Sequence, residues 1–171
     1  IVSMIDNTFA SPINQNPADY GIDLIMHSAT KYLGGHSDIL AGAVAGSEEH
    51  IHRIWNVAKS LGGSLSDMTV WLLERSMKTL SLRVNAQTAN AQKLAEFLNQ
   101  LDEVKQVFYP GLKSHPEHDL AKKQMKGFGA MLSFELNSDI NAMTFQKGLK
   151  LIKSSMSLAG VESTMLLPSE T

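Results

Sequence analysis

The segment from His27 to Asp38, His-Ser-Ala-Thr-Lys-Tyr-Leu-Gly-Gly-His-Ser-Asp, brings together the side chains of this chain that read most directly as chemistry. Lys31 stands among the hydroxyls of Ser28 and Thr30 and the glycines Gly34 and Gly35, after a short apolar run, Ile22 to Met26, broken only by Asp23. An amine at the carboxyl end of a buried strand can condense with an aldehyde to a Schiff base, because desolvation and nearby cations favour its neutral, nucleophilic form. The two hydroxyls can bind the phosphate that such an aldehyde cofactor carries, and the glycines let backbone approach closely. Most lysines are solvated surface charges. Ser-x-Thr before Lys31 and Gly-Gly after it set this lysine apart from the others.

The elements that must position these groups follow from periodicity. Ile1 to Ile5 reads as a strand ending at Asp6, and Ile22 to His27 as a second, with Pro12 and Pro17 punctuating the loop between them. Open α/β sheets bind ligands at strand ends, which is where Asp6 and Lys31 fall. Ile39 to Ala45 reads as a further buried strand, broken by Gly42. Ser47, followed by Glu48 and Glu49, caps a helix whose Ile51, Ile54, Trp55 and Ala58 share a face, and which ends at Gly62-Gly63. Ser66-Asp67 opens a helix with Val70, Leu73 and Met77 on its apolar face, and a longer helical pattern runs from Leu82 to Leu101. Val104 to Tyr109 and Ala130 to Leu136 read as strands and Ile140 to Leu151 as a helix, an α+β mixture. The nine methionines read as core filler.

Three further patches stand out. They are Asp6-Asn7-Thr8-Phe9 with Ser11-Pro12, Tyr109-Pro110-Gly111-Leu112 with His115-Pro116, and Ser157-Leu158-Ala159-Gly160-Val161-Glu162-Ser163. Together with the lysine segment, and in this order across nearly all of the chain, they resemble the trans-sulfuration family, the pyridoxal-phosphate enzymes of cysteine and methionine metabolism. The resemblance implies an α/β fold of the aspartate-aminotransferase-like type I class. Residues 1–84 would close the large cofactor domain and residues 85–171 would open a smaller α+β domain, with Arg75 to Leu80 resembling the hinge between them.

The same resemblance implies pyridoxal 5'-phosphate as cofactor and Lys31 as its Schiff-base partner and proton shuttle. Asp6, otherwise an ordinary strand-end turn residue, would sit against the pyridine nitrogen and keep it protonated, which makes the ring an electron sink. Ser28 and Thr30 would hold the phosphate, although both could equally cap the following turn. Ser157 would lie beside the lysine and the substrate carboxylate. Ala159 stands where glycine is commoner, which a loop tolerates if its backbone angles are unexceptional. Leu167-Pro168 stands where many members have His-Pro.

For Asn7, Thr8, Tyr32, His36 and Asp38 the reading is packing and turn geometry. The implied reaction is cleavage or formation of a carbon-sulfur bond in cystathionine or a related amino acid, with a lyase favoured. Replacement on O-acylated homoserine, as in cystathionine γ-synthase, an aminotransferase reaction and a non-catalytic fragment are the alternatives. The family also implies a homo-oligomer, a tetramer built as a dimer of dimers, with sites shared between subunits. Its phosphate cup, its ring-stacking aromatic and its substrate-carboxylate arginine would lie outside these residues, so the chain reads as an internal fragment.

Composition bounds the rest. The 171 residues are 43% hydrophobic and 19% charged, which describes a globular chain with a real core. A formal net charge of -2 gives no field to attract nucleic acid or an anionic membrane. With no cysteine, disulfides and thiolate metal sites are excluded. His50-x-His52 has the wrong spacing for one helix face, His115-x-x-His118 reads as a solvated loop, and no metal is expected. Lys122, Lys123 and Lys126 read as a solvated helix face. There is no apolar run of about 18 residues and no signal-peptide pattern at Ile1, so a cytoplasmic location is the default expectation.

Overall fold

The computed structural model describes residues 1–168. Three strands form the first sheet: β1 (Met4–Asp6), β2 (Leu24–Ser28) and β3 (Gly42–Gly46), in the order β1-β2-β3. β1 and β2 run parallel, with Asp6 beside Met26, so both end at the same edge of the sheet. β3 returns antiparallel to β2 and sets Gly42 opposite Ser28. Between β1 and β2 lie a short helix, α1 (Ser11–Asn14), and a single 3-10 turn at Pro17–Tyr20, both opened by proline. The three strands of this sheet begin two or three residues later than predicted, and in β1 the early residues Ile1 and Val2 stand exposed.

Three helices follow: α2 (Glu48–Leu61), α3 (Asp67–Met77) and α4 (Leu80–Leu98). Ser47 and Ser66 cap the first two by accepting from the His50 and Thr69 amides, as expected of serine at a helix start. Gly62, at φ 77°, ends α2. The apolar face predicted for α2 is not buried against this chain, since α2 has no buried residue and Trp55 is 54% exposed; that of α3 is covered in part, Leu73 packing on the cluster around Leu80 while Val70 and Met77 stay exposed. The methionines are not core filler either, since none is among the buried residues and Met4, Met68 and Met156 are well exposed.

The remaining elements are β4 (Val104–Phe108), α5 (His118–Gln124), β5 (Ser133–Leu136), α6 (Ala142–Gly148), β6 (Lys153–Ser154) and β7 (Thr164–Met165). β4 and β5 form an antiparallel pair, and β6 and β7 a short parallel one that periodicity did not signal. α6 is shorter than the Ile140–Leu151 pattern because Asn141 caps it, accepting from the Thr144 amide.

Two apolar clusters share α4. Its first half places Leu80 and Val84 against Ala29, Tyr32 and Leu33, with Leu158 and Ala159 packed on from the far end of the chain. Its second half places Ala91, Ala95 and Leu98 against Val107, Tyr109 and Leu112. The predicted division at residues 84 and 85 therefore falls inside a continuous helix, at the point where α4 passes from one cluster to the other. The last residues of the second predicted domain, 169–171, lie outside the described residues.

Candidate active site

The carboxyl ends of β1 and β2 are tied together by Thr8. Its hydroxyl donates to Asp6 Oδ1 at 2.5 Å and accepts the Ser28 amide at 2.7 Å, while its own amide donates to the same Oδ1 at 2.9 Å. Asp6 is exposed, yet the Thr8 hydroxyl and then the Thr8 amide hold its carboxyl below the ordinary value; His27 adds a smaller attraction. One carboxylate oxygen is thus occupied by the turn and Oδ2 is left without a partner among the described residues. The Ser28 hydroxyl is likewise without a hydrogen bond among them. Beneath this edge, His27 is buried, and burial pulls its pKa down more than Asp6 raises it.

Directly after β2 the chain winds into a tight turn. The Lys31 amide donates to Ser28 O at 3.0 Å, the Gly34 amide to Ala29 O at 2.8 Å and the Gly35 amide to Lys31 O at 2.6 Å. Thr30 Oγ1 donates to Ala41 O at 3.3 Å and accepts the Ala41 amide at 3.0 Å, so its hydroxyl ties the turn to the chain entering β3. For Thr30 to donate to a phosphate, that bond to Ala41 O would have to be exchanged. Lys31 itself is half-buried and forms no ion pair among the described residues.

Arg83, from the first half of α4, grips the end of this turn. Nη1 donates to Tyr32 O at 2.9 Å, Nη2 to Ser76 O at 2.9 Å and, at 3.5 Å, to Leu33 O, and Nε to Thr79 Oγ1 at 3.1 Å. The guanidinium comes close to Gly35, where an added Cβ would lie 1.8 Å from Nη1. Gly35 also has φ +68°. The close approach expected of Gly34 and Gly35 therefore serves protein contacts: the first glycine faces Ile39 and the Ala29 carbonyl, the second the arginine.

Ser157 completes the group from the far end of the chain. Lys31 Nζ donates to Ser157 Oγ at 3.2 Å, across 126 positions of sequence. The loop bearing it is held at Gly160, whose carbonyl accepts from Gln87 Nε2 at 2.8 Å and whose α-carbon lies against Ser37 Oγ. Ala159 adopts φ 68°, so the condition on which alanine would be tolerated freely is not met: its backbone is left-handed and carries strain that a glycine would not. Ser37, on the other side of the contact, is left-handed too at φ 58°. Strained non-glycine residues of this kind cluster where geometry is constrained for function.

The five residues singled out from sequence thus fall in one neighbourhood, Asp6, Ser28, Thr30 and Lys31 at adjacent strand ends and Ser157 against the lysine. The donor set suits a phosphorylated pyridine aldehyde: an amine without an acidic partner, an ionised carboxylate with one open oxygen and a hydroxyl free to donate. Three positions were read as packing or not at all. Thr8 orients Asp6, Arg83 the lysine turn, and Gln87 the serine loop. Residue types could not have flagged Arg83 or Gln87, because the carbonyls they bind leave no mark in the sequence.

The Tyr109 patch is structural instead. Tyr109 is 0% exposed and its hydroxyl donates to Gly129 O at 2.9 Å; burial first, with Tyr32 and Glu96 adding to it, pushes its pKa to about 12. His118 opens α5 rather than a solvated loop, stacking on Phe128 and bonding to Pro110 O through Nδ1 at 2.8 Å. Among the described residues no group of three acidic or histidine side chains is placed to hold a metal, and no helix is long and apolar enough to cross a membrane.

Comparison with known proteins agrees with this geometry. The sequence model of the Cys/Met metabolism PLP-dependent enzymes matches residues 1–171. Cystathionine β-lyase of Lactococcus lactis subsp. cremoris (strain MG1363) is 48% identical over 168 residues, covering 98% of this chain and 44% of that protein. The crystal structure of cystathionine γ-lyase from Lactobacillus plantarum complexed with L-serine superposes with a TM-score of 0.96 at 42% identity, covering 99% of this chain and 45% of the other. That of cystathionine γ-synthase from Xanthomonas oryzae pv. oryzae in complex with cystathionine gives 0.93 at 42% identity, over 99% of this chain and 44% of the other. The chain spans less than half the length of each.

Proposed function

Because this chain belongs to the Cys/Met metabolism PLP-dependent enzymes, we propose that it carries the cofactor-anchoring part of a carbon-sulfur lyase acting on cystathionine or a related amino acid. The observation that carries the reading is the meeting of Lys31 Nζ with Ser157 Oγ at the edge where Asp6 and Ser28 emerge. When bound, pyridoxal 5'-phosphate supplies an electron sink beside the substrate α-carbon. Lys31 is the residue that would hold its aldehyde end, and its Nζ, when free, would serve as the base that moves the substrate's α-proton. Asp6, kept ionised by Thr8, would hold the pyridine nitrogen through Oδ2. Ser28 would donate to the phosphate, and Thr30 would join it on exchanging its bond to Ala41. Ser157 would steady the free lysine amine and face the substrate carboxylate.

The functional unit on this reading is a homo-oligomer, a tetramer of paired dimers, acting in the cytoplasm, with residues 1–84 contributing to the cofactor domain and 85–171 to a second one. Reconstitution with pyridoxal 5'-phosphate, borohydride reduction and peptide mapping tests the reading: label is expected on Lys31, and label scattered over surface lysines would overturn it. Assay of the holoenzyme with cystathionine, methionine and O-acylated homoserine then separates a lyase, which releases ammonia and a thiol, from the γ-synthase alternative, which consumes the acylated substrate.

A further inference from the structure

We propose that Arg83 and Gln87 are a pair of positioning residues, one turn apart on α4, that hold the Lys31 turn and the Ser157 loop in register with each other. The proposal rests on the function proposed above and goes beyond it, since neither residue belongs to the cofactor or substrate groups.

The geometry is specific. Lys31 and Ser157 belong to segments 126 positions apart, and no strand pairing joins them. Both are instead fastened to one rigid element. Arg83 takes the Tyr32 and Leu33 carbonyls, immediately after the lysine, and ties them to Ser76 and Thr79 at the entrance of α4. It meets no carboxylate among the described residues, so its charge is spent on backbone oxygens, the arrangement of a clamp rather than an ion pair. Gln87 takes the Gly160 carbonyl, three residues after the serine, and its Oε1 is buried with no partner among the described residues. Leaving a buried acceptor unpaired is costly, so this side chain is held for the amide donor alone. Val84, 1% exposed between the two, fixes the same helix face against Ala29, Leu33 and Leu158.

The two attachments predict separable effects in the holoenzyme. Gln87→Met keeps the shape, removes the donor and also removes the orphaned acceptor, so thermal stability is expected to stay near wild type. The loosened serine loop is expected to raise KM for the amino-acid substrate about fivefold with kcat within about twofold, as when the free energy of one internal hydrogen bond is taken equally from ground-state and transition-state binding. Arg83→Lys, which cannot span four acceptors, is expected to weaken cofactor affinity about tenfold, read from the visible absorbance during titration with pyridoxal 5'-phosphate, and to lower kcat more than it raises KM.

Gln87→Met with wild-type KM, or both variants losing kcat, KM and thermal stability in proportion, would overturn the proposal. Should the arginine variant fail to fold, Gln87→Met decides alone. If borohydride fails to label Lys31 in the wild-type protein, the function reading has failed; if Lys31 is labelled and Gln87→Met behaves as wild type, only the positioning pair is lost.

Discussion

The two walls of the candidate site are built to different standards. The strand-end wall, from Asp6 through Thr8 to the Lys31 turn, is cross-tied at every step: carboxylate to threonine, threonine to the neighbouring strand, turn to β3 through Thr30 and turn to α4 through Arg83. The loop wall around Ser157 rests on Gln87, on the contact with Ser37 and on a left-handed alanine, and its residues are half-exposed. A group that must anchor a covalent cofactor through many turnovers gains from a stiff mount. A group that meets a succession of substrates gains from one that yields at small cost, because local openings cost little where few buried contacts oppose them.

Substitutions at the two walls can break this contrast. Gly35→Ala on the stiff wall adds a left-handed alanine and drives Arg83 off its carbonyls, for an expected loss of about 2–4 kcal/mol in urea unfolding. A loss under about 1 kcal/mol, on the scale of the positive φ alone, would show that the clamp matters little. Thr8→Val removes the acceptor for the Ser28 amide and the first donor to Asp6, with an expected cost of about 1–3 kcal/mol near neutral pH.

The sign of its pH dependence is fixed by Asp6, whose folded pKa lies below its ordinary value of 3.8. The stability it contributes is present above that value and lost as pH falls through the folded one. The gap between Thr8→Val and wild type in acid unfolding curves should therefore narrow at low pH without closing, because the lost acceptor of the Ser28 amide does not titrate. On the yielding wall, Ala159→Gly should stabilise by about 0.5–1 kcal/mol, the relief of the left-handed angle less the entropy of glycine.

The smallest effect is expected at His27. Burial keeps its folded pKa below 6.5, so it is neutral in both states at higher pH and contributes no slope there. Below 6.5 the unfolded chain takes up the proton first and stability falls with pH. His27→Gln should flatten that descent in denaturant titrations run between pH 7 and about 5.

How much could be read in advance followed the range of the forces involved. Ser47 capping α2, Gly62 ending it, the strand end at Asp6 and, to within one residue, the end of β2 at Ser28 are local events, decided within a turn or a strand, and they were legible. Ser28, Thr30 and Lys31 were legible as residue types, whereas the role of Asp6 and the place of Ser157 beside the lysine came only from the family resemblance, because that contact spans 126 positions and depends on the cluster that seats Leu158 and Ala159 against the first half of α4. The clamp at Arg83 was invisible for the same reason, since its acceptors are backbone carbonyls that leave no trace in residue identity. Amphipathic spacing correctly announced helices at α2 and α3 and wrongly implied full burial, because periodicity reports that a face is apolar, not what covers it. At Ala159 the residue type gave no warning of its conformation.

The unbroken course of α4 constrains how such proteins can be recombined. A chimera joined with a relative at residues 84 and 85 would change parentage in mid-helix and split Arg83 from Gln87, mixing the lysine mount of one parent with the serine mount of another. A crossover just past Leu98, in the turn that leads into β4, keeps Arg83 and Gln87 from a single parent but brings the Ser157 loop from the other, so the exchanged partners must still match at Lys31 with Ser157, at Gln87 with Gly160, and where Leu158 and Ala159 pack, besides the Val107 and Tyr109 cluster.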